Sequence, residues 1–118
     1  FGLTHTLPRL IGQQKASMLF LTGRRISGQE AFDIGLADII TDKENLRAEA
    51  IKLAAEIAEN APLAVVSVRA TMREGIQEAV KNQTDHEGRE QHRLQQTADH
   101  REGVKAVGER RPGNFIGA

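Results

Sequence analysis

Helix punctuation recurs along this chain at intervals that leave room only for short helices. Gly12 precedes Gln13 to Leu21, where Ala16, Leu19 and Phe20 share a face, and Gly23 suits the stop. Ser27 and Glu30 form an S-x-x-E capping box, with Ile26 and Ala31 placed to staple it, and Gly35 closes this short helix. Leu36 to Thr41 reads as a short extended segment. Asp42 is placed to cap the next helix, whose Leu46, Ala50, Leu53, Ala54 and Ile57 form one apolar stripe. Asn60-Ala61-Pro62 interrupts it, and Pro62 suits the first turn of a following helix. There Val65, Val68, Met72, Ile76 and Ala79 recur at intervals of three and four, which predicts a helical hairpin.

The last third is more polar. Thr84 with Glu87 reads as another capping box, opening a helix to about Gln96 with Leu94 as its one large apolar residue. A helix so polar faces solvent or docks through polar contacts. Asp99 with Glu102 opens a final helix in the same manner, with Val104 and Val107 on one side, and Pro112-Gly113 ends it. Before Gly12, Pro8 disfavours a regular helix and no strand partner is evident, so that end wants covering. The fold class is mainly α, a string of about six helices with little strand.

Composition narrows the function. A chain of 118 residues is one domain's worth and is expected to bury roughly two-thirds of its unfolded surface. Four Phe are its only aromatic residues, so aliphatic side chains and Ala must supply the core. Lys plus Arg and Asp plus Glu both number 16, and this balance argues against a dedicated nucleic-acid binder. Without cysteine there are no disulfides or thiolate metal sites, which fits a reducing compartment; a cytoplasmic location is the expectation. No apolar run approaches the roughly 20 residues of a membrane span, and no signal peptide is visible. The chain starts at Phe1 without an initiator Met, and the expectation is a piece of a longer protein.

The titratable groups form no obvious catalytic set. His5, His86, His92 and His100 make no H-x-x-x-H pattern, so no metal site is expected. Capping accounts for Glu87, Asp99 and Glu102, while Glu90 can pair with Arg93 at i,i+3. Arg24-Arg25 and Arg110-Arg111 are basic doublets without interleaved aromatics, which disfavours an RNA-binding helical domain. Asn82-Gln83-Thr84 is a formal glycosylation sequon in a chain with no sign of secretion.

Four blocks in order carry a resemblance. Gly2-Leu3-Thr4 looks like a Gly-Gly-Thr step with Leu3 in place of the second glycine, and Leu7-Pro8-Arg9-Leu10-Ile11-Gly12 follows. Leu21-Thr22-Gly23-Arg24, with Ala31 and Gly35-Leu36-Ala37, makes the third, and Asp99 through Phe115 the fourth. Together they resemble the C-terminal portion of the enoyl-CoA hydratase/isomerase (crotonase) superfamily, over essentially the whole chain.

The resemblance implies that residues 1–41 are the end of a crotonase-like spiral α/β core with short helices. Residues 42–118 would then be a helical C-terminal oligomerisation region. It implies hydration of 2-enoyl-CoA thioesters in fatty-acid or acyl-CoA metabolism, or a related reaction through a thioester enolate, with acyl-CoA as substrate and no separate cofactor. Two carboxylates and two oxyanion-binding N–H groups do such chemistry, and the resemblance puts them before Phe1, leaving no catalytic residue in this chain. For CoA binding it points to Arg110, a basic position near the adenine and phosphates and often on a neighbouring subunit, and to Val107, where Phe is common. Without that resemblance, Arg110 is a helix-end arginine favourable to the macrodipole. His5 falls where the family often has Gln, so a loop contact is expected. The implied partner is a second and third copy, as a trimer or hexamer. The alternative reading is a non-catalytic helical oligomerisation or partner-binding module.

Overall fold

The computed structural model describes residues 1–118 as seven helices without a strand. They are α1 (Leu3–Ile11), α2 (Gln13–Thr22), α3 (Gly28–Asp33), α4 (Leu46–Ala58), α5 (Pro62–Met72), α6 (Ile76–Gln95) and α7 (Ala98–Gly108). Local cap chemistry accounts for several boundaries. Gly23 ends α2 with φ 60°. The Ser27 hydroxyl accepts from the Glu30 N–H at 3.1 Å at the start of α3. Pro62 opens α5, where its missing N–H costs no helical bond.

Elsewhere packing overrides the local pattern. Residues 3–11 form a helix with Pro8 inside it, although proline removes one backbone bond and crowds the preceding turn. Leu7 and Ile11 compensate by burial, packing with the fully enclosed Ala16 of α2 while Leu19 and Ile34 close over them. Gly12 makes this possible, since its φ of 85° and ψ of 153° turn α2 back onto α1 in a conformation other residues avoid.

Four more expectations are corrected. Leu36 to Thr41 runs irregularly and pairs with no strand. Asp42 does not cap α4 with its side chain; a turn follows, and α4 starts after Asn45. The apolar series from Val65 to Ala79 belongs to two helices, because Arg73 ends α5 and Gly75, with φ 75°, redirects the chain into α6. The turn between them replaces about one helical turn, so the spacing runs through the break undisturbed. Thr84 sits inside the 20-residue α6, its hydroxyl donating to the Lys81 carbonyl at 2.9 Å, and opens nothing.

Thr97 is the hinge between α6 and α7: its hydroxyl donates to the Leu94 carbonyl at 2.7 Å and accepts from the His100 N–H at 3.1 Å. Asp99 and Glu102 therefore do not cap α7; they hold the tail instead. The Asp99 carboxylate accepts from the Ile116 and Gly117 N–H groups, both at 2.8 Å, and Asp99 N–H donates to the Ala118 carbonyl at 2.9 Å.

The main helix packing is of α1 with α2, α1 with α6, and α6 with α7, and α4 and α5 do not form the closely packed hairpin expected. The buried apolar side chains are Leu7, Ile11, Ala16 and Ala106. The accessible surface is 9862 Å², against roughly 6300 Å² for a compact chain of this mass. About half of the unfolded surface is covered, not the expected two-thirds. The radius of gyration of 19.4 Å likewise exceeds the ~13.5 Å of a compact domain.

Candidate functional site

Arg110 and Val107 come together at the end of α7. Arg110 lies in the turn after the helix with φ 53°, the one non-glycine residue in the left-handed region, and its N–H donates to the Val107 carbonyl at 3.2 Å. Val107 is exposed and lines a shallow groove of about 440 Å³ with His100, Gly103 and Val104.

The two arginines of the basic doublet differ completely. Arg111 forks onto Glu102, with contacts of 2.6 and 3.1 Å, and its Nε reaches Glu109 at 2.7 Å. Arg111 and then the Asn114 N–H, which donates at 2.9 Å, bring the Glu102 carboxyl down to about 2. Those two carboxylates in turn raise the guanidinium above its ordinary value. No carboxylate lies within ion-pair distance of Arg110. The turn after α7 thus offers one guanidinium without an ion-pair partner, while its neighbour pins the tail. The Phe115 ring completes that tail by lying over Gly103.

Glu90 and Glu87 are also engaged. Glu90 pairs with Arg93 at 2.7 Å, and that guanidinium holds its carboxyl below the usual range. Glu87 accepts from the Gly2 N–H at 2.6 Å, from the Thr4 N–H at 3.4 Å and from the Thr4 hydroxyl. Bonds from the Thr4 hydroxyl and the Gly2 N–H lower its carboxyl. The expected Thr84–Glu87 capping box does not form; Glu87 lies inside α6 and serves the N-terminus of α1, 85 residues away. No local signal identifies such a partner; α1 has only Gly2 at its N-cap, with no side chain to do the work. In the first basic doublet, Arg24 pairs with Glu30. His86 and His92 lie on α6 and His100 on α7, while His5 lies on α1 in a groove of about 440 Å³ with Arg9, Leu10, Met72 and Ile76.

A larger groove, about 550 Å³, follows the α4–α5 corner and is lined by Ile57, Val65, Val68 and Met72, with Arg69 and Arg73 beside them. Val65 is half-buried, but Ile57, Val68 at 57% and Met72 at 75% are exposed, leaving an apolar face open.

The enoyl-CoA hydratase/isomerase family model matches residues 1–118. A crotonyl-CoA hydratase from Syntrophomonas wolfei is 36% identical over 116 residues, covering 98% of this chain and 45% of its own length. A short-chain-enoyl-CoA hydratase from Clostridioides difficile is 36% identical over 104 residues, covering 88% of this chain and 67% of its own. Among solved structures, an enoyl-CoA hydratase/isomerase from Pseudoalteromonas atlantica T6c superposes with a TM-score of 0.86 at 30% identity, over 98% of this chain and 46% of that one. An enoyl-CoA hydratase from Bacillus anthracis gives 0.61 at 37% identity, over 99% and 45%. The chain belongs to the enoyl-CoA hydratase/isomerase family. It spans less than half the length of the curated relatives that it matches over 98% of its residues.

Proposed function

We propose that this chain is the C-terminal part of an enzyme that hydrates 2-enoyl-CoA thioesters in acyl-CoA degradation. The match to the family along all 118 residues carries the reading. Residues 1–41 would close the core and residues 42–118 would cover the site and join copies into a trimer or hexamer. Hydration needs a carboxylate to activate water, a second to handle the α-proton, and N–H donors at the thioester oxyanion. Glu87, Glu90, Asp99 and Glu102 are each engaged by backbone N–H groups or arginine, and by the family resemblance the reacting carboxylates would lie before Phe1. Arg110 is the residue proposed to meet the CoA phosphates, since a free guanidinium makes paired, charge-assisted bonds to such oxygens. Val107 would pack on the adenine side. The cytoplasm is the proposed location, in keeping with a chain free of cysteine.

Crotonyl-CoA hydration by the complete product of the gene, set beside residues 1–118 alone, tests this. Turnover is expected from the first and none from the second. An inactive complete product defeats the reading, and an active 1–118 chain defeats the placement of the carboxylates. In the active enzyme, Arg110→Ala should raise KM about tenfold and leave kcat nearly unchanged, because it removes binding shared by substrate and transition state. The second reading, a non-catalytic oligomerisation module, is favoured by the uncovered α4–α5 face. It would take over if the gene product assembles but shows no hydration.

A further inference from the structure

We infer that Glu87 is a positioning residue, which fixes from α6 the path by which the chain enters α1. Four residues of α6 at helical spacing meet residues 2–4. Gly2 sits so close to Val80 and Thr84 that a Cβ there would lie 3.1 Å from Val80 Cγ1 and 3.5 Å from Thr84 Cγ2. Gln83 donates to the Thr4 hydroxyl at 2.8 Å. Glu87 then accepts from the N–H groups of Gly2 and Thr4 and from the Thr4 hydroxyl. Positions 80, 83, 84 and 87 form one stripe along α6, on which the start of α1 is seated.

The carboxylate does two jobs at once. It satisfies donors that the helix leaves unpaired, and it places a negative charge at the positive end of α1. A side chain inside α1 would have anchored the helix only to itself. An anchor on α6 sets the direction in which the backbone before Gly2 arrives, and Gly2 turns into α1 with φ 79°, a conformation other residues avoid. The inference rests on the hydratase reading, in which the reacting groups precede Gly2. Glu87 touches none of them and acts through the backbone of residues 2–4, so a loosened anchor shifts those groups without removing any.

The test uses the complete gene product with crotonyl-CoA. Glu87→Gln keeps the size of the side chain but turns one acceptor into a donor facing a donor. It should lower kcat about 10- to 100-fold, the scale expected for small misplacement of reacting groups, with KM changed less than about twofold. Thr4→Val should give part of that loss and Thr4→Ser should restore it; these variants serve if Glu87→Gln does not fold. Amide exchange should quicken at Gly2 to Thr4, with the thermal midpoint changed little. An unchanged kcat in Glu87→Gln and Thr4→Val overturns the inference, whatever the exchange shows, as does equal loss in Thr4→Ser and Thr4→Val. A wild-type enzyme that fails to hydrate crotonyl-CoA defeats the hydratase reading instead and takes this inference with it.

Discussion

Helix α1 and the α4–α5 corner reverse the usual relation between local signal and burial. Helix α1 has an internal proline and a glycine N-cap without a side chain, yet it contains two of the buried apolar residues and touches both α2 and α6. Helices α4 and α5 have an alanine-rich stretch and a well-placed Pro62, yet no residue of either is fully buried. Local chemistry decides where a helix can begin and end; contact decides whether it is held there. At 13 and 11 residues, α4 and α5 are near the length at which an unsupported helix is marginal in water.

The largest effect that would sharpen this contrast comes from paired truncations in residues 1–118. Leu7→Ala or Ile11→Ala should cost about 2–4 kcal/mol in urea unfolding, as for a core leucine or isoleucine. Leu53→Ala or Val68→Ala should cost less than about 0.5 kcal/mol in the same chain, as for exposed positions. Equal costs at the two regions would erase the contrast. Next is Gly2→Ala, which combines a strained backbone with a close approach to Val80 and should cost about 1–2 kcal/mol, measured by the same unfolding.

The smallest effect is reached by acid. The Glu102 carboxyl stands at about 2 in the folded chain against an ordinary 4.5, because Arg111 and the Asn114 N–H favour its charged form. Its contribution is therefore complete above about pH 4.5 and is lost as pH falls through the folded value near 2. The amide resonances of Asn114 should report release of the tail across that window, and Glu102→Gln should release it at neutral pH. A tail that stays in place in Glu102→Gln at neutral pH would show that the Asp99 contacts suffice.

Sequence reasoning located what is local. Gly23, Ser27, Gly35 and Pro62 mark helix ends through their own backbone or side-chain chemistry, and the structure agrees at each. The helix across Pro8 was illegible because its stability comes from Ala16 and α6, not from residues 3–11. The Thr84–Glu87 spacing satisfied a capping rule, but the donors Glu87 serves lie at the other end of the chain. Asp99 and Glu102 matched the same rule while Thr97, two residues earlier, does the capping. For the candidate site, the pairing of Arg110 with Val107 could be taken from the resemblance. Which arginine of the doublet stays free could not, since Glu102 and Glu109 choose Arg111 only once the tail has folded back.

The 85-residue span between Glu87 and Gly2 also sets an order of events during synthesis. A ribosome adding roughly 5–20 residues per second needs about 4–17 s to translate that interval. Until Glu87 is available α1 lacks its cap, and a nine-residue helix interrupted by proline does not hold itself together in water. Within residues 1–118, the helix made earliest is thus among the last to be capped.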